Sequence, residues 1–120
     1  MIDAKQLRLG NWIYGVNGFS ARIRAYDFEH TDFDKCNPIP LSPEILEKCG
    51  FEKTDNSNKY WSFWRLKNGW YISESHHNEP SAGVNKGLFY YGDEYIEIKH
   101  LHHLQNFYFA HTQRELQITL

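Results

Sequence analysis

Cysteine is scarce in this chain: two residues in 120, Cys36 and Cys49. They lack CxxC spacing. One disulfide is arithmetically open, but no apolar N-terminal signal segment points to export. Both are therefore expected as reduced thiols in a cytoplasmic protein of its host cell. Long apolar runs are missing too, so no membrane partner is expected. Neither sign of charge dominates. Thirteen Lys and Arg against fifteen Asp and Glu leave −2, which argues against duplex DNA binding through a broad basic face. Catalytic signatures are absent as well. There is no nucleophile elbow, no HExxH, no Gly-rich phosphate loop and no paired Asp motif. No enzyme and no cofactor is expected. No repeat, low-complexity tract or linker divides the chain, and residues 1–120 read as a single domain.

Aromatics are what the chain has in abundance. Eight Phe, eight Tyr and four Trp make up 17% of the residues, more than the interior of one small domain holds. Some are expected at an interface or around a ligand, and a homo-oligomer follows as an expectation.

The pattern along the chain is one of hairpins. Asp3 with Gln6 makes a capping-box turn that Gly10 closes. Trp12, Tyr14 and Val16 alternate up to Asn17-Gly18, and Phe19, Ala21 and Ile23 alternate after it. A two-residue type I′ turn at Asn-Gly pairs Val16 with Phe19, Tyr14 with Ala21 and Trp12 with Ile23. Those six then form the core face, with Asn11, Ile13, Arg22 and Arg24 opposite. Asp27 to Asn37 is polar and reads as a loop. Ser42-Pro43-Glu44 opens a short helix with Ile45, Leu46 and Cys49 on its apolar side, and Gly50 ends it. A second hairpin, Tyr60 to Glu74, turns at Asn68-Gly69. The same pairing sets Trp61, Phe63 and Arg65 with Trp70 and Ile72, against Tyr60, Trp64, Leu66 and Tyr71. Ser75 to Lys86 reads as a mobile polar loop. Leu88–Tyr91 and Tyr95–Lys99 are two more strands. Leu101, Leu104, Tyr108 and His111 mark one face of a C-terminal helix, with Phe107 at its edge, and Leu116, Ile118 and Leu120 an extended tail. The fold class is α+β: an antiparallel, twisted or partly barrel-like sheet built from hairpins, one short middle helix, and one C-terminal helix packed on the sheet.

Four islands then stand out: Leu7-Arg8-Leu9-Gly10-Asn11; Asn37-Pro-Ile-Pro-Leu41 running into the helix that ends Gly50-Phe51; Ile96-Glu-Ile-Lys99; and Leu104-Gln-Asn-Phe-Tyr-Phe-Ala110. In this order they resemble a family of small proteins of unknown function from phages, prophages and mobile elements of Bacteroidetes. The resemblance covers most of the chain and implies a phage or mobile-element origin with no known activity. His102, Gln105, Asn106 and Thr112 match polar positions of its helix motif. Gln113 departs from it, standing where a glycine is usual before Glu115-Leu116. So do His100, His103 and His111.

The candidate ligand-binding residues are Arg22, Arg24, Trp61, Trp64, Arg65, Tyr71, His102 and Asn106. The tryptophans and Tyr71 are suited to stacking on a base and the arginines to phosphate. Because Trp61 and Trp64 alternate on one strand, only one of them faces a ligand. His102 and Asn106, four apart on one helix face, suit either a ligand contact or a hydrogen bond that fixes a neighbouring segment. His100 and His103 are three apart with His111 close to the same meridian, but nothing in the sequence ties a further ligand from His76-His77 to them. They read as a solvated or partly packed histidine stripe, and no metal site is assigned. The function expected is that of a non-enzymatic phage accessory protein, of counter-defence type, that binds and sequesters a small nucleotide-type host signal. The alternatives are a protein–protein modulator of a host enzyme or transcription complex, or a single-stranded nucleic-acid binder.

Overall fold

A computed structural model describes residues 2–120. Among these described residues the fold is α+β, with seven strands, three α-helices and an open sheet that does not close into a barrel. The strands are β1 (Trp12–Tyr14), β2 (Ser20–Arg22), β3 (Glu52–Lys53), β4 (Trp61–Arg65), β5 (Tyr71–Ser75), β6 (Phe89–Tyr91) and β7 (Ile96–Ile98). The helices are α1 (Asp27–His30), α2 (Pro43–Lys48) and α3 (Leu101–Thr112). The expected single sheet is in fact two: β1–β2 stand apart from the antiparallel β3-β4-β5-β6-β7. The chain forms two compact units. The first comprises the chain up to Pro40, His100–Leu116 and Leu120; the second comprises Leu41–Lys99 and Gln117–Thr119. The C-terminal helix thus belongs with the N-terminal hairpin, not with the large sheet.

In the first unit the hairpin turn differs from expectation. Gly18 N donates to Gly15 O at 2.9 Å and Gly15 N to Phe19 O at 2.9 Å. Gly18 is the turn residue with positive φ, +83°, and Asn17 is not. This is a three-residue loop with a left-handed glycine, not the I′ turn, which needs two positive φ angles. Asn17 Oδ1 accepts from Phe19 N at 3.1 Å, which locks it. The register becomes Trp12↔Arg22, Ile13↔Ala21 and Tyr14↔Ser20, one residue away from the expected pairing, and a one-residue slip exchanges the faces. Ile13 and Ile23 are therefore core, with Ile2, Phe33 and Cys36. Val16 and Phe19, read as core, are 58% and 72% exposed. The stretch read as a loop after Asp27 carries α1 and a 3₁₀ turn at Phe33–Lys35 that buries Phe33.

In the second unit α2 forms as the sequence indicates. Ser42 Oγ accepts from Ile45 N at 3.2 Å, Pro43 opens the helix, and Leu46 and Cys49 are buried. The β4–β5 turn repeats the first hairpin's geometry. Gly69 N donates to Leu66 O at 3.0 Å and Leu66 N to Trp70 O at 2.9 Å, with φ of +93° at Gly69. The pairing Trp64↔Ile72 and Arg65↔Tyr71 follows. Trp70 and Ile72 thus share a face with Trp64 and Leu66, and Tyr71 moves to the face of Phe63 and Arg65. The core face carries Trp64, Leu66, Ile72, Phe89 and Ile98, all buried. Phe51, just after α2, meets Trp70 with ring centroids 6.3 Å apart. The polar stretch after Ser75 is anchored: it forms a 3₁₀ turn at Pro80–Ala82 and buries Val84.

Candidate functional site

Two of the candidate residues, His102 and Asn106, lie on α3 in the first unit, and Asn106 meets the first sequence island. Asn106 Oδ1 accepts from Arg8 Nε at 3.0 Å and from Asn11 Nδ2 at 2.9 Å, while its Nδ2 donates to Gln6 O at 2.8 Å. Gln105, one residue earlier, accepts from Trp12 N at 2.7 Å and donates to Gly10 O at 3.0 Å. The Arg8 guanidinium also pairs with Glu115 and lies 4.5 Å over the Phe109 ring. Every hydrogen-bonding atom of the two amides is used to hold the N-terminal segment on the helix. Of the two roles open to Asn106, its bonds are those of fixing a neighbouring segment. Arg8, Asn11 and Gln105 were not among the candidates, although they sit in the first and the last of the four islands.

His102 is buried beside His100, their rings stacked at 5.6 Å and 19°. Its Nδ1 has no hydrogen-bond partner. Burial first, then the nearby His100 and His103, lower its pKa to about 4, so the ring is neutral at ordinary pH. Among the described residues no three His, Cys, Asp or Glu side chains converge to hold a metal ion. Arg22 and Arg24 are exposed in this unit. Arg24 Nε is 3.8 Å from Asp27, whose carboxyl is held below the usual range chiefly by the Arg24 backbone N–H.

The remaining candidates lie on the second unit's sheet, and strand alternation separates them. Trp64 is 5% exposed, and its Nε1 donates to Glu74 Oε1 at 3.0 Å, so it is a core residue. Trp61 points to the other face, where it stacks on Tyr95 at 5.4 Å and 6° and meets Tyr90 and His77 edge-on. The loop after Ser75 covers this end: Tyr90 Oη accepts from Asn85 N at 2.8 Å. The other end of the same face is open. There Phe63 and Tyr71 meet edge-on at 6.2 Å, and Arg65 lies directly across from Tyr71. These three, with Thr54, Asn56 and Gly69, line a cleft of about 390 Å³. A second cleft of about 580 Å³ also has Thr54, Arg65 and Gly69 in its walls, together with Lys53, Lys67, Glu52 and Asp55.

Arg65 and Tyr71 are thus brought together as one site, and Phe63 joins them. Phe63 was missed because the two-residue turn set Tyr71 on the opposite face. The signal was present in Asn-Gly itself, since the three-residue loop uses the same dipeptide. One further pair invites a catalytic reading: Ser62 Oγ lies 2.5 Å from His76 Nε2. Ser62 is 1% exposed, so no substrate reaches its hydroxyl, and the pair serves as a cross-strand link.

No family model, curated protein or solved structure matches this chain.

Proposed function

We propose that this chain is a non-catalytic accessory protein of a phage or mobile element that binds and sequesters a small nucleotide-type signal of its host. The site is the open half of the large sheet, at Phe63, Arg65 and Tyr71. One observation carries the reading. A half-exposed tyrosine, braced edge-on by Phe63, shares a cleft of ligand size with an exposed guanidinium. A base stacks on Tyr71, Arg65 takes phosphate in a bidentate pair, and Thr54 and Asn56 offer polar atoms to sugar or base edges.

Calorimetry against cyclic dinucleotides and ADP-ribose derivatives tests it. Wild type is expected to bind one class, and Tyr71→Ala and Arg65→Ala to lose that heat with melting temperatures nearly unchanged. Trp64→Ala is expected to cost about 3–5 kcal/mol of folding free energy, as loss of a buried aromatic does. Absence of heat with every nucleotide sinks the proposal.

A further inference from the structure

The two clefts that share Thr54, Arg65 and Gly69 change in chemistry along one line across the strands. Strand register sets Tyr71 directly opposite Arg65, and Arg65 directly opposite Glu52. Paired residues share a face and neighbouring strands lie about 5 Å apart. Aromatic ring, guanidinium and carboxylate therefore follow one another in even steps. Beyond Arg65 the larger cleft, of about 580 Å³, adds the cations Lys53 and Lys67 and the carboxylate Asp55. It wraps round β3, the two-residue edge strand, so Lys53 lines it although alternation assigns that residue to the other face. None of its described wall residues is aromatic. Among the described residues, Lys53, Arg65 and Lys67 form no ion pair, even with Glu52 directly across from Arg65. Three exposed cations and two exposed carboxylates thus surround one opening, each left to a ligand.

We infer that the nucleotide taken by this face carries one base, a diphosphate and a second sugar, the sugar held through its hydroxyls at Glu52. This rests on the nucleotide reading of the Tyr71 cleft. The order of groups in such a ligand is the order of groups on the protein. The base stacks on Tyr71, the first phosphate meets Arg65, and the second lies between Lys53 and Lys67. Glu52 and Asp55, acceptors only when ionised, repel phosphate and accept from sugar hydroxyls. A cyclic dinucleotide presents two bases, each suited to an aromatic face, and the charged cleft has none. On the other side of Tyr71, a cleft of about 310 Å³ includes Trp70 and Tyr91. Those two rings stack on each other at 5.1 Å and belong to the core face of the sheet.

Calorimetry with AMP, ADP, ADP-ribose and cyclic di-AMP tests it. Affinity is expected to rise about tenfold from AMP to ADP and about tenfold again to ADP-ribose, as each step adds hydrogen bonds to charged groups. Cyclic di-AMP should bind no tighter than AMP. Replacing both lysines, Lys53→Gln with Lys67→Gln, should erase the gain from AMP to ADP and leave AMP within about twofold. Glu52→Ala should weaken ADP-ribose, while ADP, relieved of a like charge, binds as well or better. All three positions are exposed, so melting temperatures should hold. Equal affinity for AMP, ADP and ADP-ribose, or a preference for cyclic di-AMP, with Tyr71→Ala still abolishing binding, overturns the inference and leaves the nucleotide site standing. Glu52→Ala weakening ADP and ADP-ribose alike overturns it too. No heat with any of the four overturns the site and the inference together.

Discussion

Asn106 makes three hydrogen bonds to residues about a hundred positions away, and one of its partners, Asn11, is wholly buried. Asn106→Ala leaves Arg8 Nε, Asn11 Nδ2 and Gln6 O without their partner. A cost of about 2–4 kcal/mol is expected from urea denaturation, since buried polar groups are left unsatisfied. A loss well under 1 kcal/mol would show that water replaces the amide. His102 sets a pH dependence. The unfolded histidine takes a proton near pH 6.5, whereas the folded one resists until about 4. Between those values the unfolded state binds more protons, so stability falls as pH drops through this window and levels off below it. The loss is on the order of 2–3 kcal/mol. Denaturation at about pH 7 and about pH 4.5 should show a steeper fall for wild type than for His102→Gln. Equal slopes would mean that His102 takes up a proton in the folded protein.

Among the elements, α3 ends at Gln113, held at φ +59° and ψ +25°. A left-handed backbone costs a residue with a side chain about 1–2 kcal/mol, and this is where the resembled family usually has glycine. Gln113→Gly removes that strain but loosens the unfolded chain. The net expectation is a gain of about 0.5–1 kcal/mol, read as a rise in melting temperature. No rise would indicate that the weak Gln113 Nε2 bond to Ala110 O, 3.5 Å long, matters more than the strain. The two hairpins show the same physics from the other side. In each, a glycine alone absorbs the positive φ, and that choice fixes the register of every residue beyond the turn.

For the whole molecule, the two units are interleaved in sequence: α3 of the first follows all seven strands, and Gln117–Thr119 of the second follows α3. Neither unit is one contiguous segment. Each holds one free, buried cysteine, Cys36 in the first and Cys49 in the second. Burial pushes the Cys49 thiol up to about 12 and raises Cys36 as well. Both should resist a thiolate-specific reagent at neutral pH in the native protein and react on unfolding. Chain interleaving leads to one cooperative transition, with both thiols exposed at the same denaturant concentration. Labelling of one thiol while the other stays protected would establish separate unfolding of the units. Among the described residues, no helix is long and apolar enough to cross a membrane.

The sequence by itself determined whatever depends on neighbours along the chain. Ser42-Pro43 and Gly50 set the bounds of α2, the 101–112 periodicity placed α3, and the alternation on β4 separated Trp61 from Trp64. It also showed that the fold would be α+β. Only the tertiary structure decided what depends on partners. Asn-Gly permits two loop lengths of opposite register, and the three-residue loop was chosen in both hairpins, where it buries Ile13 and Ile23 in one and gathers Trp64, Leu66 and Ile72 in the other. His102 lies on the polar side of a helix and Gln105 at the edge of its apolar arc, yet both are buried, and the binding partners of Gln105 are backbone atoms of Gly10 and Trp12 that no periodicity reveals. Arg65 and Tyr71 were visible as residue types, but the cleft they form with Phe63 exists only because strand pairing puts all three on one face.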